Sequence, residues 1–533
     1  MRLSKKKNER TLTKIFENSV EKFGARKMAE FTNGSQSYTY NVFCAKVNEL
    51  GDILDNHGIA ADGKVGILSE NMPNWTIAFF ATITRGRVAV PILPGSTSFE
   101  IENILNHSES TVLFASKRQM QKIPNEHLDK LALVFDIEDF SIIHQTSPLP
   151  TITTNRPTAE SLATIIYTSG TSGNAKGVML SHGNLYHSIL EAKHAQPAKH
   201  TDRWLSILPM AHAYEMAFGM LYPLFVGGAV YYLREMPTPS ILLPAMKKIR
   251  PTIICTVPLV AEKIHKAIMR RIEDDKRLKW MYNNMQWFTY LVIGATLRKQ
   301  TGGKIKFFGI GGAKLNPTVE EFLHKAHFNY AIGYGTTETA PLICNACVGH
   351  TKIGSIGVNA YEVEVDLDNV NPTTGIGEII ARGKNVMMGY YKDLERTAKV
   401  LTSDGWYHTG DLATRDKQGR YYIKGRLGSM ILGPSGENIY PEEIEQVINT
   451  FPRVIESLVV KRGKQLVALV QLEENLNNMI NDAINGKINE LCEGIRDFVN
   501  KRVGPQSQIA YVQLMNVPFQ KTATLKIRRF LYQ

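Results

Sequence analysis

Short apolar runs alternate with helical spacings through the first half of this chain. Residues 64–70 (KVGILSE), 88–93 (VAVPIL) and 111–116 (TVLFAS) are brief and apolar, and each reads as a buried strand. Between them, NWTIAFFATITRG and FEIENILNH carry helical patterns. PTIICTVP and IKFFGIGGAKL (305–315) continue the alternation, which predicts parallel sheets covered by helices. The charge-free run 216–233 (MAFGMLYPLFVGGAVYYL) has a membrane-like length, but Pro223 and Gly227-Gly228 break it. It is expected to be buried core: helix, turn, then strand.

The texture changes near residue 354. Val363, Val365 and Leu367 alternate with acidic residues in YEVEVDLD, the mark of a half-exposed strand, and NPTTGIGE then turns the chain. A small antiparallel β subdomain is expected there. Farther on, Pro441 suits the first turn of a helix, with Glu442 and Glu443 placed for its dipole. Ile444, Val447, Ile448 and Phe451 keep helical spacing until Pro452 stops it. ESLVVK, LVALVQL, a helix carrying Ile484, Ile488, Leu491, Ile495 and Phe498, and the strand QIAYVQLM complete a compact α/β domain of about 105 residues. The fold class expected is therefore α/β: a large N-terminal region of parallel sheets, the antiparallel subdomain, and a small C-terminal α/β domain.

Composition narrows the function. The 533 residues are 43% hydrophobic and 21% charged, as in a globular enzyme of more than one domain. A net charge of +12 favours anionic company, such as nucleotides, coenzyme phosphates or a membrane surface. There is no arginine-rich tail or nucleic-acid signature, so nucleic acid is not the expected partner. Five scattered cysteines suit a reducing cytoplasm, and Cys344-x-x-Cys347 has no second pair to complete a metal site. The basic N-terminus lacks the apolar core of a signal peptide. Residues 269–288 mix basic residues with Trp280, Tyr282, Trp287 and Phe288, a pattern that fits either an anionic membrane surface or an ordinary solvated helix face.

The candidate chemistry begins at YTSGTSGNAKG. Thr168, Ser169, Gly170, Thr171, Ser172, Gly173 and Gly177 surround Lys176. The spacing fails the Walker phosphate-loop pattern, yet glycines that free backbone N–H groups, hydroxyl donors and one lysine together suit an anion. Read alone, the loop is either a phosphate cradle or a linker.

This stretch closely resembles the phosphate-binding signature of the adenylate-forming superfamily, which includes acyl-CoA synthetases. GYGTTETAP (333–341), GWYHTGD (405–411), KGR (424–426) and TLKIRR (524–529) resemble further superfamily motifs, in the same order. The resemblance implies a carboxylate joined to the α-phosphate of ATP, pyrophosphate expelled, and the acyl group passed to CoA. Thr168 to Gly173 and Lys176 would cradle the phosphates. Tyr334 would stack on adenine beside Gly312 and Ala313, with Gly335 and Thr336 in the same nucleotide-binding set. Thr337 would contact the α-phosphate and Glu338 would hold Mg²⁺. Asp411 would bind the ribose hydroxyls, and Arg426 the ribose or phosphates. Lys526 would bridge the acyl carboxylate and the α-phosphate. The resemblance also divides the chain into an N-terminal domain (1–425), a hinge (426–430) and a mobile C-terminal domain (431–533), in which Gly436 would line the pantetheine tunnel.

Two departures stand out. The hinge reads Arg426-Leu427-Gly428-Ser429 where the superfamily writes acidic residues, and glycine there leaves rotation permitted. Leu525 replaces the usual glycine before the terminal lysine, which resembles the T-x-x-L-K form of the long-chain fatty acyl-CoA synthetase branch. A long-chain fatty acid, ATP, Mg²⁺ and CoA are the substrates and cofactors this implies, with cytoplasmic or membrane-peripheral placement. Acyl-carrier-protein loading, release of free acyl adenylate, and a catalytically silent nucleotide or acyl binder are the alternatives. His212, in LPMAHAYE, reads equally as an acyl-pocket residue or a structural histidine.

Overall fold

The structure is a computed structural model, and it describes residues 10–146, 156–169, 175–235, 237–432, 438–463, 465–473, 482–522 and 526–533. The chain forms two compact units. The first comprises residues 1–170, 175–365 and 381–407, and the second comprises 171–174, 366–380 and 408–533.

Two sheets build the first unit. The larger has nine strands in the order Val358–Asn359, Cys344–Ala346, Tyr330–Tyr334, Phe307–Ile310, Ile253–Thr256, Arg203–Ser206, Ala229–Tyr232, Lys27–Phe31 and Tyr38–Thr39. Its inner strands run parallel. The second, of eight strands, centres on parallel Val88–Ile92, Lys64–Leu68 and Ser110–Ala115 and is extended by the antiparallel hairpin of Leu162–Ser169 and Ala175–Ser181. Every residue of Val88–Ile92 is buried, as a parallel strand covered on both faces requires. The intervening helix Pro73–Ile83 is likewise buried along its whole length, which explains why its sequence is apolar on every side.

The uncharged run 216–233 folds as expected. Glu215–Leu221 and Tyr222–Val226 form continuous helix, Gly227 turns the chain at φ +79°, and Ala229–Tyr232 is a strand. Its first segment is a π-helix, which sequence periodicity did not anticipate. Among the described residues no helix is long and apolar enough to cross a membrane. The five cysteines are free thiols, and burial pushes those of Cys344 and Cys347 up, away from reactivity.

A four-stranded sheet follows, in the order Val363–Asp368, Gly377–Gly383, Tyr407–Arg415 and Tyr421–Arg426, the last two antiparallel. Val363 and Val365 are buried while Glu364 and Asp366 are exposed, as the alternation predicts. The second unit contains a three-stranded sheet, in which Gln465–Leu472 pairs antiparallel with Val454–Arg462 and parallel with Tyr511–Leu514. Ile444, Ile448, Val459, Val470, Ile495 and Val499 form its core. Its first helix, Pro441–Ile448, ends one turn before Phe451, because Pro452 disfavours helical backbone in the residue before it.

Candidate functional site

The hairpin fixes Lys176. Antiparallel register sets Thr168 opposite Lys176, and Ser169 opposite Ala175. A Cβ on Gly177 would lie 2.8 Å from Ile165 Cγ2, so the tight crossing of these strands favours glycine. The Thr168 hydroxyl is buried without a hydrogen-bond partner, a donor available to an oxyanion. Gly170, Thr171, Ser172 and Gly173 lie outside the described residues, as does Gly436.

Lys176 meets Glu338 at the far end of another strand. Tyr330–Tyr334 runs into a loop at Gly335, where a Cβ would sit 1.7 Å from the Pro341 carbonyl oxygen. Only glycine fits there. Thr336 then caps a 3₁₀ turn, Thr337–Thr339, through reciprocal bonds with Thr339, and this turn carries Glu338. Lys176 Nζ donates to Glu338 Oε1 at 2.7 Å and to the Tyr390 hydroxyl at 2.8 Å. Tyr390 in turn donates to the same Glu338 oxygen at 2.9 Å. Burial opposes the charge on Glu338, but the Lys176 ammonium and these hydrogen bonds outweigh it and hold the carboxyl below its usual range. The Tyr390 hydroxyl is pushed up by burial and by the facing carboxylate. A buried carboxylate held ionised is a hard oxygen donor, the kind that suits Mg²⁺.

Sequence reading missed the segment that clamps this cluster. Gly389–Tyr390 pairs antiparallel with Ala175–Ser181 and delivers the Tyr390 ring to within 4.6 Å of Lys176 Nζ. Fully buried Asn385 donates to the carbonyls of Thr339 (3.0 Å) and Leu342 (2.7 Å), and Met387 N–H donates to the Glu338 carbonyl at 2.8 Å. No charge or spacing marks Asn385. Gly389 at φ +137° was the available signal, a backbone conformation that only glycine tolerates well.

Gly312 and Ala313 follow the strand Phe307–Ile310, and Tyr334 ends the adjacent parallel strand. Gly312 has φ +84° and is exposed, as is Ala313, while Tyr334 is half-buried. They thus occupy the carboxyl ends of parallel strands, where open α/β sheets bind ligands. His212 is half-buried in the loop before the π-helix, its Nδ1 accepting from Tyr214 N–H at 3.3 Å.

In the second unit, Asp411 and Arg426 face one another across the pair Tyr407–Arg415 and Tyr421–Arg426. Arg426 Nε lies 2.8 Å from Asp411 Oδ1; the Asp411 side chain is 7% exposed and that of Arg426 is 54% exposed. Glu378 braces the turn before Asp411, accepting from Gly410 N–H at 2.8 Å and sitting 2.9 Å from His408 Nδ1. Asp368 completes a loose trio with Glu378 and His408. Residues 427–429 form a 3₁₀ turn in which a Cβ on Gly428 would meet nothing within 4 Å, and Ser429 donates to Glu442.

Lys526 sits on a built turn in this unit. Thr522 N–H donates to the Lys526 carbonyl at 2.8 Å, and Lys521 and Ile527 form a β-bridge. Residues 526–530 are therefore no loose solvated end: Ile527 packs with Phe519 and Tyr532, and Arg529 pairs with buried Glu445. Lys526 itself is exposed.

The sequence profile described as "AMP-binding enzyme" matches residues 16–391. A fatty acyl-CoA synthetase A of Dictyostelium discoideum is 28% identical over 462 residues, covering 78% of this chain and 68% of that protein. A chloroplastic long-chain-fatty-acid–acyl-carrier-protein ligase of Arabidopsis thaliana is 28% identical, covering 84% and 74%. Among solved structures, an o-succinylbenzoate CoA synthetase of Bacillus subtilis in complex with its acyl-adenylate intermediate superposes with a TM-score of 0.78 at 22% identity, over 97% of both chains. That likeness establishes the two-domain α/β fold.

Proposed function

From the premise that this chain belongs to the AMP-binding enzyme family, we propose that it activates a long-chain fatty acid with ATP and transfers the acyl group to CoA. In the first step a carboxylate oxygen attacks the α-phosphorus, forming a mixed anhydride as the bond to the β-phosphate breaks and pyrophosphate leaves. In the second, the CoA thiol sulfur attacks the acyl carbonyl carbon, and AMP leaves. The carboxylate is its own nucleophile, so the protein supplies positioning and charge neutralisation.

The observation that carries this reading is the Lys176–Glu338–Tyr390 cluster beside the unpartnered Thr168 hydroxyl. In this assignment Lys176 exchanges its contact with Glu338 for phosphate oxygens, and Thr168 donates to them. Glu338 would hold Mg²⁺, which offsets triphosphate charge when bound, and Thr337 would contact the α-phosphate. Tyr334, Gly312 and Ala313 receive the adenine, and Asp411, oriented by Arg426, receives the ribose hydroxyls. Lys526 neutralises the α-phosphate during adenylation. Residues 426–430 serve as the hinge.

The long-chain assignment draws support from Leu525-Lys526 in the T-x-x-L-K form and from relatives named as fatty acyl and long-chain enzymes. Acyl-carrier-protein loading is the second reading, favoured by the similarity to the Arabidopsis carrier-protein ligase. The test is a panel of unbranched acids from acetic to stearic, assayed for pyrophosphate release with CoA, with acyl carrier protein, and with neither. Release that peaks with long chains, and thioester found only on CoA, is expected. Activity confined to aromatic or short acids would overturn the substrate assignment, and thioester only on the carrier protein would favour the second reading.

A further inference from the structure

The helix Gln286–Gln300 is apolar on two opposite faces. One face, Tyr290, Ile293 and Leu297, is buried in the core of the nine-stranded sheet's helical cover. The other presents Trp287 (70% exposed), Leu291 (44%), Val292 (41%) and Phe288 (39%) to the surface. These positions repeat at i, i+1, i+4 and i+5, so they form one stripe. A surface helix normally carries polar residues there. Here basic residues come only in the last turn, at Arg298 and Lys299.

The preceding helix, Lys276–Asn284, adds to this surface. None of its residues is buried, and Trp280 is 60% exposed. Tyr282 and Tyr290 tie it to the apolar helix, their hydroxyls 3.3 Å apart. Lys276, Arg277 and Lys279 are exposed on it, and Arg270 and Arg271 are exposed on the helix before it, Pro258–Asp274. Residues 263–292 hold seven Lys and Arg against Glu273, Asp274 and Asp275, and Asp275 is occupied as a helix cap.

We propose that this surface docks on an anionic lipid bilayer, with Trp280, Trp287, Phe288, Leu291 and Val292 entering the headgroup boundary and the flanking basic residues facing lipid phosphates. Charge decides the occupant. A two-fold contact with a second copy would bring the same excess of positive charge together from both sides, whereas an anionic bilayer complements it. Exposed tryptophans beside an aliphatic stripe and a basic flank match the interfacial environment, apolar at one side and wet at the other. The surface does not depend on the acyl substrate assigned above, so its test stands apart from that reading.

The test uses the full-length protein and vesicles of phosphatidylcholine, alone or mixed with phosphatidylglycerol. Co-sedimentation with the mixed vesicles at low salt is expected, with weaker binding at high salt and to phosphatidylcholine alone. Brominated acyl chains should quench tryptophan fluorescence in the unaltered protein, since Trp75 and Trp204 are buried and only surface tryptophans can meet lipid. The pair Trp287→Ser and Leu291→Ser should weaken vesicle binding by about tenfold or more, given two exposed side chains withheld from the bilayer. Lys276→Glu with Lys279→Glu should remove most of the salt sensitivity. Absence of vesicle binding, absence of quenching, or equal binding by the double variant would overturn the proposal. A dimer in sedimentation velocity that the double variant abolishes, without vesicle binding, would assign the face to a second copy instead.

Discussion

Lys176 and Glu338 stand 162 residues apart in sequence and 2.7 Å apart in the fold, with the Tyr390 hydroxyl bonded to both. The ammonium and the carboxylate satisfy each other in a site where burial would otherwise disfavour charge. In the function proposed above, an anionic ligand that draws Lys176 away would leave Glu338 ready for a cation, so one ion pair would prepare both halves of a metal–triphosphate site.

Lys176→Met should destabilise the fold by about 2–4 kcal/mol at neutral pH, because it strands a buried carboxylate. Glu338 has a folded-state pKa below its unfolded value, so its stabilising contribution is present above about pH 4.5 and is lost as pH falls through the folded value. The gap between wild type and variant in urea unfolding should therefore narrow on acidification. A constant gap would show that the pair does not hold Glu338 ionised.

Asn385→Asp keeps the shape of the side chain but removes both donors to Thr339 and Leu342 and turns a carboxylate toward their carbonyls. The expected loss is about 2–4 kcal/mol. Weaker ATP binding, measured by calorimetry, should accompany it, since the same bonds fix the turn that carries Glu338. Unchanged stability would mean that Met387 N–H alone suffices to hold that turn.

Asp411→Asn removes the charge that Arg426 pairs with and replaces one of the two carboxylate acceptors assigned to the ribose hydroxyls with an NH₂ donor. Hydrogen bonds to charged groups contribute about 1.5–3 kcal/mol, so ATP affinity should fall roughly tenfold to a hundredfold. AMP should lose affinity to the same extent, whereas pyrophosphate inhibition should not change. Equal effects on pyrophosphate would remove Asp411 from the ribose role.

Lys526→Ala should reduce adenylation by at least about a hundredfold, as loss of a preorganised charge contact to a transition state does. Thioester formation from supplied acyl adenylate should persist. Its stability should match wild type, because Lys526 is exposed while Ile527 and Arg529 anchor the segment. Parallel loss of both half-reactions would refute the role.

Glu215, fully buried at the start of the π-helix, is pushed up to about 8 by burial. A raised carboxyl pKa makes unfolding release a proton above the unfolded value, so stability should fall as pH rises from about 4.5 toward 8, by at most about 1.4 kcal/mol per pH unit. Glu215→Gln should flatten that slope in denaturant titrations across this range. An unaltered slope would show that Glu215 does not titrate there.

Local chemistry was legible in the sequence because it depends on neighbours along the chain. Apolar runs marked the parallel strands, Gly227 marked a turn, and Pro441 and Pro452 bracketed a helix that the fold shortened only at Ile448. The motif residues, too, could be singled out one by one. Which of them meet could not, because sheet order is set by long-range packing that residue spacing does not encode. Lys176 meets Glu338 since their strands end near one another, and Tyr390 arrives 214 residues after Lys176 as an added edge strand. Asn385 has no sequence mark at all; only burial against two carbonyls gives it a task. The helix Gln286–Gln300 states the same limit from the other side. Its spacing offers two apolar stripes of similar hydrophobicity, and only the packing of Tyr290, Ile293 and Leu297 into the core decided which one stayed outside.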